Sequence, residues 1–477
     1  MRKRTPQTLL ALAGAALLIL WQLHEASQAH TLFGDFRAFY CGAAAVAHGA
    51  NPYTGSAIYP CESTPMPWGL YSAVQGIAVP APLPGYALLA FVPLTLLPYQ
   101  AACILWLFVL LACAAIAARA LSLLLDRPLG ASASAIVPGI AIVVVPFGEL
   151  GCIELAALLC MALALRARAW GLAALAGGVA MLLPQVGLPA MLAAFIFLRP
   201  MRMRIFIAIA VLAVLDVAGS SGTALAYLFT VLPAHARAEI PSSVQYGVTW
   251  MLHALRASDA AALAGGSVSY AVVAILGIAS SGIAFARMGD RACCALIAPA
   301  FAVFGGTFVH YAHIMSAIPA ALLLATRASG VRRITCDVAA LLLIVPWLWV
   351  LSQPLLVPVV ALACGICAWG LLDCAPRHAL RIALASVVLA GAILIAGAHF
   401  GAGGVSPVQN GNVHEALAQD GWSRFIAAAR AGTGAAWWIG KLPTWTGLLL
   451  VMLACATMAR TPKPTLRQAE PATAASG

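Results

Sequence analysis

The chain reads as one all-α, polytopic integral membrane domain of about a dozen transmembrane helices, with a long first outer loop bearing short amphipathic helices. Of its 477 residues, 63% are hydrophobic and only 9% charged, whereas soluble domains carry roughly a quarter charged residues. The mean hydropathy is +0.97. Apolar runs recur along nearly the whole length and are continuous in Ala, Leu, Val and Gly instead of alternating. That is the pattern of helices and not of barrel strands.

The first run, Thr8 to Leu23, follows the basic "MRKR" and is not followed by a convincing small-residue cleavage site, so it is expected to remain as the first span. "MRKR" holds the start inside, which places the loop 30–82 outside. "PLPGYALLAFVPLTLLPYQ" has Pro at 82, 84, 93 and 98 and reads as a short, re-entrant or interfacial piece, which leaves the helix parity between 84 and 200 open. From Arg204 onward, spans are expected near 205–221, 264–286, 292–309, 311–326, 336–352, 355–373, 380–400 and 443–459. They put the basic clusters, such as "RASGVRR" at 327–333 and "RHALR" at 377–381, on one side. The polar regions 222–262, the corner around His310 and the loop 401–442 fall on the other. The loop 401–442 includes a helical stretch from about His414 to Arg430. The membrane domain is expected to cover 1–459, and the polar tail 460–477 to be disordered in the cytoplasm.

The formal net charge is +11, yet the basic residues lie in short clusters between apolar runs. They serve topology better than a nucleic-acid partner. No Cys/His spacing resembles a zinc site and no Gly-rich phosphate loop precedes a helix, so neither metal nor nucleotide cofactor is expected. Most of the 13 cysteines sit inside apolar runs as small packed side chains. Cys41 and Cys61 lie together in the first outer loop and can pair if that side is oxidising, with Cys152 as a competitor.

In the first loop, "DFRAFYCGAAAVAHG" can form a short helix starting near Gly34 or Asp35, with Phe36, Phe39 and Tyr40 along one side. It is expected to lie on the membrane. An Asp at such a helix start either caps free N–H groups or serves as a catalytic carboxylate, and the pattern alone supports both.

"GDFRAFYCGAAAVAHGANPY" at 34–53 resembles the signature that opens glycosyltransferase family 87, integral membrane enzymes of the GT-C superfamily. Asp35, Tyr40, Gly49, Pro52 and Tyr53 fit that signature position by position. The similarity continues through "PLPGYALLAFVPLTLLPYQAACILW" and more loosely through "LLPQVGLPAML" and "GGTFVHYAHIMSAIPA", so it covers roughly residues 10 to 330. The resemblance implies a GT-C fold and a polyprenyl-phosphate sugar as donor, as in the polyprenyl-phosphomannose-dependent mannosyltransferases. It also implies transfer on the outer face and Asp35 as the base of an inverting displacement. Many relatives have Gly-Gln-x-Asn where this chain has "ELGCIELA" at 149–156, and a Lys before the Pro where it has Leu183-Pro184. If that Lys meets donor phosphate, another cation must serve here.

Such a transfer needs a base for the acceptor hydroxyl, cations or N–H donors for the departing phosphate, and room for a lipid tail. Asp35 fits the first role. For donor phosphate and sugar the candidates are Arg37, Tyr40, Tyr53, His235, Arg237, Gln245, His310 and His313. His310 leads, as it ends one apolar run, begins another and resembles the family's late His-Tyr pair; a lone His at a helix end also serves as an ordinary interfacial residue. Glu149, Glu154 and Asp216 are acids next to or within apolar runs, where they are costly. The Trp residues near expected span ends read as interfacial anchors. The expected partners are therefore a polyprenyl-phosphate sugar, a lipid or glycan acceptor and membrane lipids, at a bacterial inner membrane with the site facing outward. A transporter or lipid flippase would also be polytopic and Pro/Gly-interrupted, but no internal repeat is evident and the polar weight lies in the outer loops. A catalytically degenerate family member is a third reading.

Overall fold

The computed structural model describes residues 5–28, 32–64, 78–220, 227–400, 421–423, 426 and 432–460, and within them every regular element is helical. α1 (Thr5–Gln28) is followed by three short helices, α2 (Gly34–Ala47), α3 (Gly55–Glu62) and α4 (Gly85–Phe91). Then come α5 (Tyr99–Leu125), α6 (Leu129–Phe147, with a π-helical turn at Ile140–Val144), α7 (Gly151–Arg166), α8 (Trp170–Ala180), α9 (Pro184–Phe197) and α10 (Arg202–Gly219). The second half holds α11 (Leu232–Ala238), α12 (Val248–Ala254), α13 (Asp259–Met288), α14 (Cys293–Ala302) and α15 (Ala317–Arg327). It closes with α16 (Gly330–Leu343), α17 (Leu356–Gly370), α18 (Pro376–Phe400) and α19 (Ala435–Arg460).

Five of these helices are long and apolar enough to cross a membrane: α5, α6, α13, α18 and α19. Among the described residues the apolar runs form these five long helices and several shorter apolar ones, and a number of the expected spans are cut by local backbone chemistry. The run 292–309 stops being helical at Ala302, ahead of Gly306, whose φ of 127° suits only glycine. The run 311–326 divides into a single turn, Tyr311–Ile314, and α15, while 336–352 breaks ahead of Pro346. Hydropathy registers none of these interruptions. The expected first span lies within α1, and the stretch 414–430 falls mostly outside the described residues.

Ion pairs mark one end of the bundle. Arg166 and Arg327 both reach Asp290, at 2.5 and 3.8 Å, and Arg127 and Arg333 meet at Asp373. At the other end the first loop, the α6–α7 corner, α11 and the His310 corner come together around one cavity. The basic clusters and the polar loops are thus segregated as the charge pattern requires. The stretch Gly85–Leu96 begins and ends on the cavity side: Gly85 lies against Gly219, and the Leu97 carbonyl accepts from the Tyr40 hydroxyl at 2.8 Å. Asp216, puzzling in an apolar run, accepts the Tyr86 N–H at the start of α4 at 3.4 Å, supplying an orphan donor with a partner.

α2 begins at Gly34 as expected, but its apolar face packs on protein. Phe36 and Phe39 are buried; Phe36 stacks on Trp106 at 5.3 Å and Phe39 meets Phe91 at 5.2 Å. Protein, not lipid, takes the apolar face. Phe33, at the N-cap, holds a left-handed φ of 57° and donates its N–H to the Pro146 carbonyl at 2.7 Å. The start of α2 is thereby fixed against the end of α6.

Candidate active site

The cavity encloses about 150 Å³ and is lined mainly by apolar side chains, into which a few polar groups project. Of the residues singled out from sequence, Asp35, Arg37, His235, His310 and His313 line it. They come from the first loop, α11 and the corner after α14, so the fold joins positions up to 278 residues apart.

Asp35 sits in the first turn of α2. The N-cap position belongs to Phe33, no side-chain cap is made, and the half-buried Asp35 carboxylate has no hydrogen bond or ion pair among the described residues. The capping role fails on geometry. What remains is an acid at the positive end of a helix, facing open space.

Arg37 lines the same cavity but faces a different task. Its Nη2 donates to the carbonyls of Glu62, Thr64 (2.5 Å) and Cys61 (3.5 Å). It anchors the C-terminal end of α3 through that nitrogen while the side chain still lines the cavity. Cys41 and Cys61 are joined as a disulfide with Cα atoms 5.6 Å apart, while Cys152 is a buried free thiol.

Glu239, nearly fully buried, lies between two imidazoles. Its Oε2 is 3.3 Å from His310 Nε2 and its Oε1 is 3.9 Å from His235 Nε2. His235 is flanked edge-on by Phe308 and Trp422, each ring 4.7 Å away. His313 Nδ1 accepts the His310 backbone N–H at 3.1 Å, which puts the proton of the neutral ring on Nε2. That nitrogen is 3.0 Å from the Gln185 side-chain amide, so the amide is assigned with its oxygen toward His313. Burial pushes the His313 imidazole down to about 3, and the neighbouring His310 adds to the shift. His313 is a neutral, hydrogen-bonded strut.

Four candidates turn away. The Tyr40 hydroxyl donates to Leu97 O and the Tyr53 hydroxyl to Leu83 O, both at 2.8 Å, so each phenol fastens a loop. Gln245 is fully buried and donates to the Glu239 carbonyl. Arg237 is exposed outside the cavity, because two residues along a helix from His235 point to another face. Glu149 does line the cavity, raised at the α6–α7 corner by Gly148 with φ 74°. Glu154 is buried without a partner among the described residues and does not line it.

Glu62, Gln185 and Trp422 are among the wall residues that sequence reasoning left out of the site. Glu62 accepts the Val79 N–H at 2.7 Å. Gln185 follows a helix-initiating Pro184, and a polar side chain at such a start within an apolar run was the available signal. Trp422 is no interfacial anchor: it is buried and donates to Pro80 O at 2.8 Å. Among the described residues, no three His, Cys, Asp or Glu converge as metal ligands do.

Comparison of the chain with protein-family models, with curated proteins and with solved structures returns no match. The likeness to glycosyltransferase family 87 therefore rests on the motif at 34–53 and its looser continuation.

Proposed function

We propose that the chain is a glycosyltransferase that moves a hexose, mannose in the first instance, from a polyprenyl-phosphate donor to a hydroxyl of a lipid or glycan acceptor. Asp35 takes the hydroxyl proton as the acceptor oxygen forms its bond to the anomeric carbon. The bond from that carbon to the phosphate oxygen breaks with inversion, and polyprenyl phosphate leaves. His310 and His235 are the imidazoles assigned to the departing phosphate, with Nε2 of each ring turned to Glu239 between them. The apolar lining suits the lipid side of the donor. In this reading the protein is a multi-pass component of a bacterial inner membrane, working on its outer face.

The observation that carries the reading is the partnerless Asp35 carboxylate on a cavity shared with imidazoles from two other segments. The test is transfer of radiolabelled mannose from polyprenyl-phosphomannose to membrane lipids by purified wild type and Asp35→Asn. Removing a general base is expected to cost about 10²–10⁴ in rate. Equal transfer by both proteins removes Asp35 from the mechanism. No transfer by either counts against this donor and favours the transporter reading.

A further inference from the structure

α3 is a weakly supported wall element. It has eight residues with Pro60 among them, and its Ile58 packs with Ala45 and Ala78 in a small cluster separate from the main core. A helix of that length does not persist unaided. Two ties hold it, and both start on α2. The Cys41–Cys61 disulfide joins the helices covalently. One turn earlier on α2, Arg37 donates to the carbonyls of Cys61, Glu62 and Thr64 at the C-terminal end of α3.

From α3 the support passes to the cavity. Glu62 accepts the Val79 N–H at 2.7 Å, and Val79, Pro80, Pro82 and Leu83 are cavity wall. The same stretch is pinned by Trp422 at Pro80 O and by Tyr53 at Leu83 O. The path from disulfide to wall is short: Cys61, its neighbour Glu62, then Val79.

We propose that the cavity is a redox-assembled site: the Cys41–Cys61 bond is the condition for an ordered α3 and Val79–Leu83 wall, so the chain gains its site only once that loop reaches an oxidising compartment. Two thiols give the bond by exchange with a disulfide oxidant, which leaves as two thiols. A dithiol reverses the step, and the half-buried Cys61 is its point of access. The inference does not rest on the glycosyl-transfer reading, since a binding or transport cavity would be assembled in the same way.

The test uses the full-length protein in phospholipid nanodiscs. Hydrogen exchange of segments 55–64 and 78–84 is followed before and after dithiothreitol, with alkylation and mass confirming two new thiols and α13 as internal reference. A cross-link across 20 residues restrains local opening by roughly a hundredfold, so exchange in both segments should rise by about that factor while α13 is unchanged. The double variant Cys41→Ala/Cys61→Ala should reproduce the reduced protein; if it does not fold, the reduced wild type decides. Arg37→Lys in the oxidised protein should give a smaller rise, because one ammonium does not span three carbonyls. Unchanged exchange after verified reduction overturns the proposal. So does an equal rise in α13, which would make the bridge a support of the whole fold and not of the site.

Discussion

His313 makes acid stability a measure of the cavity's integrity. The imidazole ordinarily titrates near 6.5, and in the folded chain burial and His310 bring it to about 3. Between those values the unfolded chain holds a proton there and the folded chain does not, so stability rises with pH across the window and falls as acid is added. From pH 7 to pH 5 this one group accounts for a loss of about 2 kcal/mol. The perturbation is His313→Asn, which keeps an acceptor near the place of Nδ1 for the His310 N–H but does not titrate. Detergent-solubilised wild type and variant are unfolded with sodium dodecyl sulfate at pH 7 and pH 5, so titrations common to both cancel. The variant should lose about 2 kcal/mol less than wild type over that interval. Equal acid losses would show that His313 is not buried as a neutral strut, and the geometry drawn around Gln185 would fall with it.

Other substitutions probe separate parts of the structure. Gly148→Ala should destabilise by about 2 kcal/mol or more: the residue holds φ 74° and a Cβ would stand 2.7 Å from that of Phe36; an unchanged unfolding midpoint would show that the α6–α7 corner relaxes freely. Glu239→Gln removes the charge from a hydrogen bond of about 1.5–3 kcal/mol, so under the proposed reaction mannose transfer should fall roughly tenfold or more; full activity would deny the imidazole pair its orienting carboxylate. Lys441 is fully buried with its Nζ 3.1 Å from the Trp250 ring centroid and no hydrogen-bond partner among the described residues. Lys441→Met should raise the unfolding midpoint, because desolvating an ammonium costs more than one ring contact returns; a lower midpoint would reverse that balance.

Composition made the helical class legible, because continuous apolar runs allow little else, and the basic clusters made the two ends of the bundle legible. Helix lengths were not, since a single Gly or Pro stops a helix without changing the hydropathy around it, as at Gly306 and Pro346. At the site, Asp35 and the histidines were readable as polar groups at the edges of apolar runs. Whether a polar group faces the cavity or the scaffold was not readable, because that depends on tertiary direction. Arg37 lies two residues from Asp35, yet its guanidinium is bound to backbone carbonyls. The tyrosines at 40 and 53 match a family motif and still serve as loop fasteners here. Glu239 was readable as a polar group of the 222–262 loop, but its place between His310 and His235 follows only once α11 meets the His310 corner.

The charges around the cavity bear on how a phosphate is received where no lysine precedes Pro184. Among the described residues, Asp35, Glu62, Glu149 and Glu239 bring four carboxylates to its wall, against the guanidinium of Arg37. A lysine placed among these acids would pair with one of them, and an ammonium beside Asp35 would blunt it as a base. Under the proposed transfer, His310 and His235 share the carboxylate of Glu239 and His313 is held by Gln185, so none of the three pairs with Asp35 and proton acceptance stays on that residue. In that reading the absence of a lysine before Pro184 and the gathering of histidines belong to one arrangement: a carboxylate with no counter-charge beside it, and imidazoles tied to a different acid.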